Sequence, residues 1–149
     1  MPIAAEYTIN IDGITTDPAD TPFESYNFGA TANTGPQSSG SGAGKVTFNS
    51  FSITRKVDKA SPNLFKACIT GQLITKVTLK LRSAAQKGTL PSDFMSVVLQ
   101  DVFISNISEA GNVHGGAVPL EEVGFNFRIF QITVAGVSFG YNLDLGKIT

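Results

Sequence analysis

At 149 residues the chain is the size of one domain, and a chain of that size buries roughly 68–70% of its unfolded surface without disulfide support. Its single cysteine excludes an intrachain disulfide, and no apolar run approaches the ~18 residues of a membrane helix. The net charge of −1 hides a segregation: residues 1–25 carry −5, residues 45–87 carry +8 and residues 88–149 carry −4.

Fifteen Gly, eleven Phe, no Trp and strand-forming residues throughout favour a β-dominated domain. The N-terminus, MPIAAEYTINIDG, lacks a basic segment followed by an apolar run, so no secretory signal peptide is expected. Tyr7, Ile9 and Ile11 alternate with Thr8 and Asn10, which reads as a half-buried strand ended by the Asp12-Gly13 turn. Residues 15–22, polar and carrying two prolines, read as a loop. Glu24 to Ala30 reads as a second strand, with Tyr26 and Phe28 on one face and Ser25 and Asn27 on the opposite, polar one.

Residues 31–44, TANTGPQSSGSGAG, hold five glycines or prolines within ten residues and no large apolar side chain. Such a segment cannot offset its ordering entropy alone, which reads as a long mobile loop. Gly40, Gly42 and Gly44 before Lys45 invite comparison with a phosphate-binding loop. The comparison fails: Ser39 stands where Gly is needed, Val46 where Ser or Thr is needed, and a strand rather than a helix follows.

Val46 and Phe48 alternate, then Phe51 and Ile53 alternate in the other phase, which predicts a bulge or bend at Asn49-Ser50. Arg55-Lys56-Val57-Asp58-Lys59 leads into the chain's best-marked helix. Ser61 stands where an N-cap belongs, Pro62 at the first helical position and Gly71 at the exit. Leu64, Phe65 and Cys68 would form its apolar face, with Cys68 a buried structural thiol rather than a reactive one. Lys76 to Leu81 reads as a strand with Val77, Leu79 and Leu81 inward, followed by a turn at Gly88–Pro91. Phe94 to Ile107 is apolar on both parities, so it is buried on both faces or bends between two sheets. His114, the only histidine, falls in a polar Gly-rich loop at 108–120, where a solvated role outweighs a metal site. Val123 to Val134 reads as one long strand with a bulge, and Val137 to Leu145 as the last strand. The expected fold is therefore mainly β: about eight antiparallel strands closed into a two-sheet barrel, with one short flanking helix, in a single domain spanning 1–149.

Nothing in the sequence assembles a catalytic centre. There is no HExxH, GxSxG or CxxC, and Glu121-Glu122, adjacent on a strand, point to opposite faces. Asn106-Ile107-Ser108 is a glycosylation sequon without the secretory context it needs. No enzyme activity, cofactor or metal is expected.

The stretch GAGKVTFNSFSITRKVDKASPNLFKACITG, residues 42–71, resembles the Hcp (haemolysin-coregulated protein) family, which forms the tube of the bacterial type VI secretion system. The Gly-rich loop, the strand ending in a Thr-basic-basic-Val-Asp-Lys turn and the Ser-Pro-Asn-Leu helix occur there in this order. INIDGI, the strand ending at Asn27-Phe28-Gly29, VVLQDVFISNIS and the C-terminal FGYNLDL are similar to further parts of that family. The resemblance implies a β-barrel whose copies join head to tail into hexameric rings that stack into a tube. A contractile sheath expels that tube, with effector proteins in its lumen. Its partners would be itself, a spike protein, the sheath and effectors, with no membrane insertion. It would reside in the bacterial cytoplasm before firing and be exported without a signal peptide.

On this reading Gly35, Pro36, Gly40, Gly42, Gly44 and Lys45, together with Arg55, Lys56, Asp58, Lys59 and Lys66, would make inter-ring or inter-subunit contacts, while Ser25 and Asn27 would face the lumen. Two other readings stay open. A nucleic-acid-binding barrel would use the basic segment 45–87, although aromatic stacking platforms interleave poorly with its charges. A monomeric carbohydrate- or peptide-binding β-domain would show no rings.

Overall fold

A computed structural model describes residues 6–16, 19–32, 46–82, 93–113 and 118–149. Twelve strands and one helix are formed among them. In chain order they are β1 (Glu6–Ile11), β2 (Thr21–Pro22), β3 (Ser25–Asn27), β4 (Ala30–Ala32), β5 (Val46–Phe48), β6 (Phe51–Lys56), α1 (Ser61–Thr70) and β7 (Ile74–Arg82). Next come β8 (Asp93–Ala110), β9 (Leu120–Asn126), β10 (Ile129–Val134), β11 (Val137–Asn142) and β12 (Lys147–Ile148). The Gly-rich stretch from Gly35 to Lys45, the Gly88–Pro91 turn and His114 lie outside the described residues.

All pairings are antiparallel. One sheet runs β12-β11-β10-β8-β7-β1-β2, and a second runs β3-β6-β9-β8. The two share β8, whose first half pairs with β7 and β10 and whose second half pairs with β9. The change of sheet occurs at Asp101, which adopts φ +54°. That left-handed residue switches the inward parity, from Val97 and Leu99 before it to Val102 and Ile104 after it. The apolar character of both parities therefore records a bend between two sheets, not a strand covered on both faces.

The chain changes sheet at two further places, which is why long stretches in the sequence become several strands. Thr21 to Asn27 crosses sheets at Phe23-Glu24: the Phe23 N–H bonds Tyr7 O, and the next N–H, of Glu24, bonds Thr54 O. Val123 to Val134 breaks at Phe127-Arg128 and leaves the second sheet for the first. Because β2 and β3 are short, separate ladders joined only through this corner, the hydrogen bonding does not run round as a closed sheet. In that respect the closed barrel expected from the sequence is corrected to two sheets joined at their corners.

The core lies between the sheets. Ile9, Ile11, Phe51, Ile53, Leu79 and Phe125 are among its fully buried side chains. As expected, Val77, Leu79 and Leu81 point inward, while Lys76 is exposed. Helix α1 closes onto this core through Leu64 and Ala67, with Phe65 and Cys68 only half-buried at its margin. The inward face is thus turned from the one expected, because an alanine buries fully without registering as strongly apolar. The helix leaves through Gly71 at φ +67°, whose N–H bonds Ala67 O. Ser61, however, is not its N-cap. It is the first helical residue, the cap position is Ala60, and no side chain caps that end.

A ring cluster fixes the one ribbon that stands apart. Among the described residues β4 and β5 pair only with each other. Phe28, just before β4, and Phe48, which ends β5, stack at 6.4 Å. Both meet Phe130 of β10, at 5.6 and 5.2 Å, and Phe48 also meets Tyr141 of β11 at 5.3 Å. Such contacts contribute about 0.5–1.5 kcal/mol each beyond area burial. They hold the β4–β5 ribbon against β10 and β11.

Candidate assembly surface

Two surfaces collect the residues singled out from the sequence. The first is the basic turn between β6 and α1. Strand alternation carries Arg55 inward with Phe51 and Ile53, so its side chain is only 1% exposed. Its Nη2 donates to Asp58 Oδ2 at 2.5 Å, and its Nη1 to Glu121 Oε1 at 3.3 Å. Arg55 and Glu121 are direct cross-strand partners of β6 and β9. The Ser61 hydroxyl donates to Glu121 Oε1 and accepts the Asp58 N–H at 3.0 Å, while Asp58 Oδ1 accepts the Ala60 N–H at 2.8 Å. The strap from Val57 to Ser61 is thus sewn to β9, and the Val57 N–H adds a bond to Pro119 O.

Burial is the largest influence on Glu121 and pushes its carboxyl above the ordinary 4.5. The Ser61 hydroxyl and the Arg55 charge pull against it without cancelling it, and the Glu109 and Asp58 charges push it further up. Asp58 goes the other way. Burial, the largest influence, raises it, but the Arg55 hydrogen bond, the Ala60 N–H and the charges of Arg55 and Lys59 together hold it below its ordinary 3.8.

This geometry corrects one expected contact residue. Arg55 is a buried hub within the chain, because its strand parity turns it into the core and two carboxylates hold it there. Lys56, Lys59 and Lys66 are exposed, and Asp58 is partly so. Lys56 lies 3.8 Å from Glu24, and Arg82 lies 3.6 Å from Glu6. The acidic first segment and the basic middle segment are thus partly neutralised inside the chain, since β1 pairs with β7 and β3 with β6.

The second surface is the outer face of the second sheet. Ser25 and Asn27 are both exposed there. Register extends each into a row across four strands: Ser25, Thr54, Glu122, Ser108 and Asn27, Ser52, Gly124, Asn106. Every side chain in these rows is short and polar, except the glycine and Glu122. A Cβ on Gly124 would lie 2.1 Å from Asn106 Oδ1, so the Asn106 amide lies across that glycine. Ser50 and Asn126 continue the polar band, with the Ser50 hydroxyl donating to Asn126 Oδ1 at 2.7 Å. Sequence reading found Ser25 and Asn27 but missed their row partners. The available signal was Ser52 and Thr54 alternating with Phe51, Ile53 and Arg55.

Among the described residues no group of His, Cys, Asp and Glu is placed to hold a metal ion, and no helix is long and apolar enough to cross a membrane.

Residues 11–134 match the family described as type VI secretion system effector, Hcp. The chain is 34% identical over 89 residues to protein hcp1 of Pseudomonas aeruginosa, covering 59% of this chain and 52% of that protein. It is 33% identical over 112 residues to the major exported protein of the same species, covering 69% of this chain and 63% of that protein. The matched stretches therefore span between half and two thirds of those relatives' own lengths. The fold is similar to that of Hcp1 from Salmonella typhimurium, with TM-score 0.81 at 22% identity over 99% of this chain and all of the other. It is also similar to that of a type VI secretion system effector from Yersinia pestis, with TM-score 0.72 at 24% identity over 91% of this chain and 98% of the other. With the family match running through both sheets and the helix, the chain belongs to the Hcp family of type VI secretion system proteins.

Proposed function

We propose that this chain is a structural tube subunit that joins copies of itself head to tail into hexameric rings, which stack into a tube expelled by a contractile sheath. The observation that carries the reading is the outer face of the second sheet. Eight residue positions in two rows present hydroxyls, amides, one glycine and one carboxylate, with no large apolar side chain. A wall of that kind suits a wet channel through which folded cargo slides without sticking, since it offers few desolvation gains to any one partner. Ser25 and Asn27 belong to this wall, and effector proteins would pass along it.

Ring closure needs a head-to-tail contact, and stacking needs a second one along the axis. The exposed Lys56, Lys59 and Lys66 would serve the subunit contacts with Asp58 beside them. The segment bearing Gly35, Pro36, Gly40, Gly42, Gly44 and Lys45 would serve the contact between rings. A spike protein, the sheath and effectors would be the other partners. The subunit would wait in the bacterial cytoplasm and leave through the secretion machine. The basic segment gives less support to nucleic-acid binding, because Arg55 is buried and Lys56 and Arg82 face carboxylates of the same chain.

Deleting residues 34–42 tests the ring-to-ring contact: stacked tubes should disappear from electron micrographs while single rings persist. Unchanged tubes would remove that segment from the account. A bulky label attached at an Asn27→Cys substitution in a Cys68→Ser background should reduce effector retention in rings. Full retention would place the lumen elsewhere.

A further inference from the structure

The buried cluster beneath the strap has one negative charge too many. Arg55 faces both Asp58 and Glu121, so one guanidinium answers two carboxylates. Glu109 on β8 is the direct ladder partner of Glu121 and adds a third carboxylate on that side. Lys59 acts on Asp58, which already has the short arm of Arg55, while Glu121 has the 3.3 Å arm. The side chain of Glu121 is fully buried, and among the described residues its Oε2 has no hydrogen-bond partner. A buried ionised carboxylate with an undonated oxygen is costly, and neutralising it removes most of that cost.

We infer that Glu121, on β9 beneath the strap between β6 and α1, is a proton-binding point, and that taking up one proton there stabilises the folded chain. The proton comes from solvent and resides on the carboxyl, most simply on the unpartnered Oε2. Oε1 keeps the Ser61 hydroxyl, and Arg55 is left to Asp58 alone. No other bond is made or broken. Among Arg55, Asp58 and Glu121 themselves, one cation and one anion then remain instead of one cation and two anions.

The direction of the linkage follows from the raised value of Glu121. A carboxyl whose folded value lies above its ordinary 4.5 favours folding when protonated, and it opposes folding as pH rises through the folded value. The folded chain is therefore less stable in alkaline solution and more stable in mildly acidic solution. This device does not depend on ring formation, because every group in it belongs to one chain.

The test is the thermal unfolding midpoint of the full chain, followed by far-UV circular dichroism from about pH 8 down toward 4.5, for wild type and Glu121→Gln. The glutamine keeps an oxygen for Ser61 and removes the charge. It should unfold several degrees above wild type at the alkaline end, with the gap closing as pH falls. A second pair removes dependence on that one variant. Glu109→Gln should raise the alkaline midpoint in the wild-type background, and should do so less in the Glu121→Gln background. Parallel pH profiles for wild type and Glu121→Gln, a Glu121→Gln chain that is less stable or unfolded at the alkaline end, or an equal effect of Glu109→Gln in both backgrounds would each overturn the inference.

Discussion

Replacing Arg55 by Met removes the guanidinium from the hub and leaves a side chain of similar length in an apolar neighbourhood. The consequence divides between the two carboxylates. Asp58 is 36% exposed and can turn to water, so losing its 2.5 Å partner costs little. Glu121 is fully buried and cannot. Breaking a buried pair by removing one partner costs about 3–5 kcal/mol, and at neutral pH we expect Arg55→Met to fall in that range, nearly all of it through Glu121. Removing the stranded charge as well, in Arg55→Met with Glu121→Leu, should return stability to within about 1 kcal/mol of wild type, because apolar replacement of a buried pair is often neutral. Urea unfolding followed by circular dichroism reads both quantities. A single variant within about 1 kcal/mol of wild type would refute the reasoning, since it would mean that Glu121 finds water, another donor or a proton at little cost. So would a double variant as unstable as the single one.

Leu64 is fully buried under α1, so Leu64→Ala should cost about 2–5 kcal/mol, read by the same unfolding experiment. Gly71→Ala should cost about 1 kcal/mol, because the φ of +67° penalises any side chain even though open space surrounds it. Asp58 is held below its ordinary 3.8, so the stability it contributes is fully present above that value and is lost as pH falls through the lower folded value. Asp58→Asn should flatten the acid limb of the stability profile, measured by unfolding midpoints in acidic buffers, and an unchanged limb would assign the acid sensitivity to other groups.

Local features were legible because short-range physics fixes them. Gly71 marked the helix exit, the alternation from Val77 to Leu81 marked a half-buried strand, and the phase slip at Asn49-Ser50 marked the break between β5 and β6. Glu121 and Glu122 do point to opposite faces, one buried and one exposed. What the sequence concealed depends on contacts between distant residues. Arg55 and Glu121 are separated by 66 positions, and no local pattern says that they meet. Ser61 looked like a cap because caps are local, yet its hydroxyl is drawn 60 positions away to Glu121. The charge blocks looked free to seek partners, but antiparallel pairing folds Glu6 onto Arg82 and Glu24 toward Lys56. The run from Phe94 to Ile107 left open a bend between two sheets, and its place at Asp101, with φ +54°, came only with the structure. The polar wall was half visible: Ser25 and Asn27 announced themselves, while Asn106 and Ser108 joined only once the register of β8 and β9 was known.

The central claim is self-assembly, and electron microscopy of the purified full chain in negative stain tests it most directly. Six-fold rings with a stain-filled centre, some of them stacked, are the predicted result. A field of particles no larger than a single subunit, at concentrations well above those used for imaging and confirmed as monomer by native mass spectrometry, would contradict it.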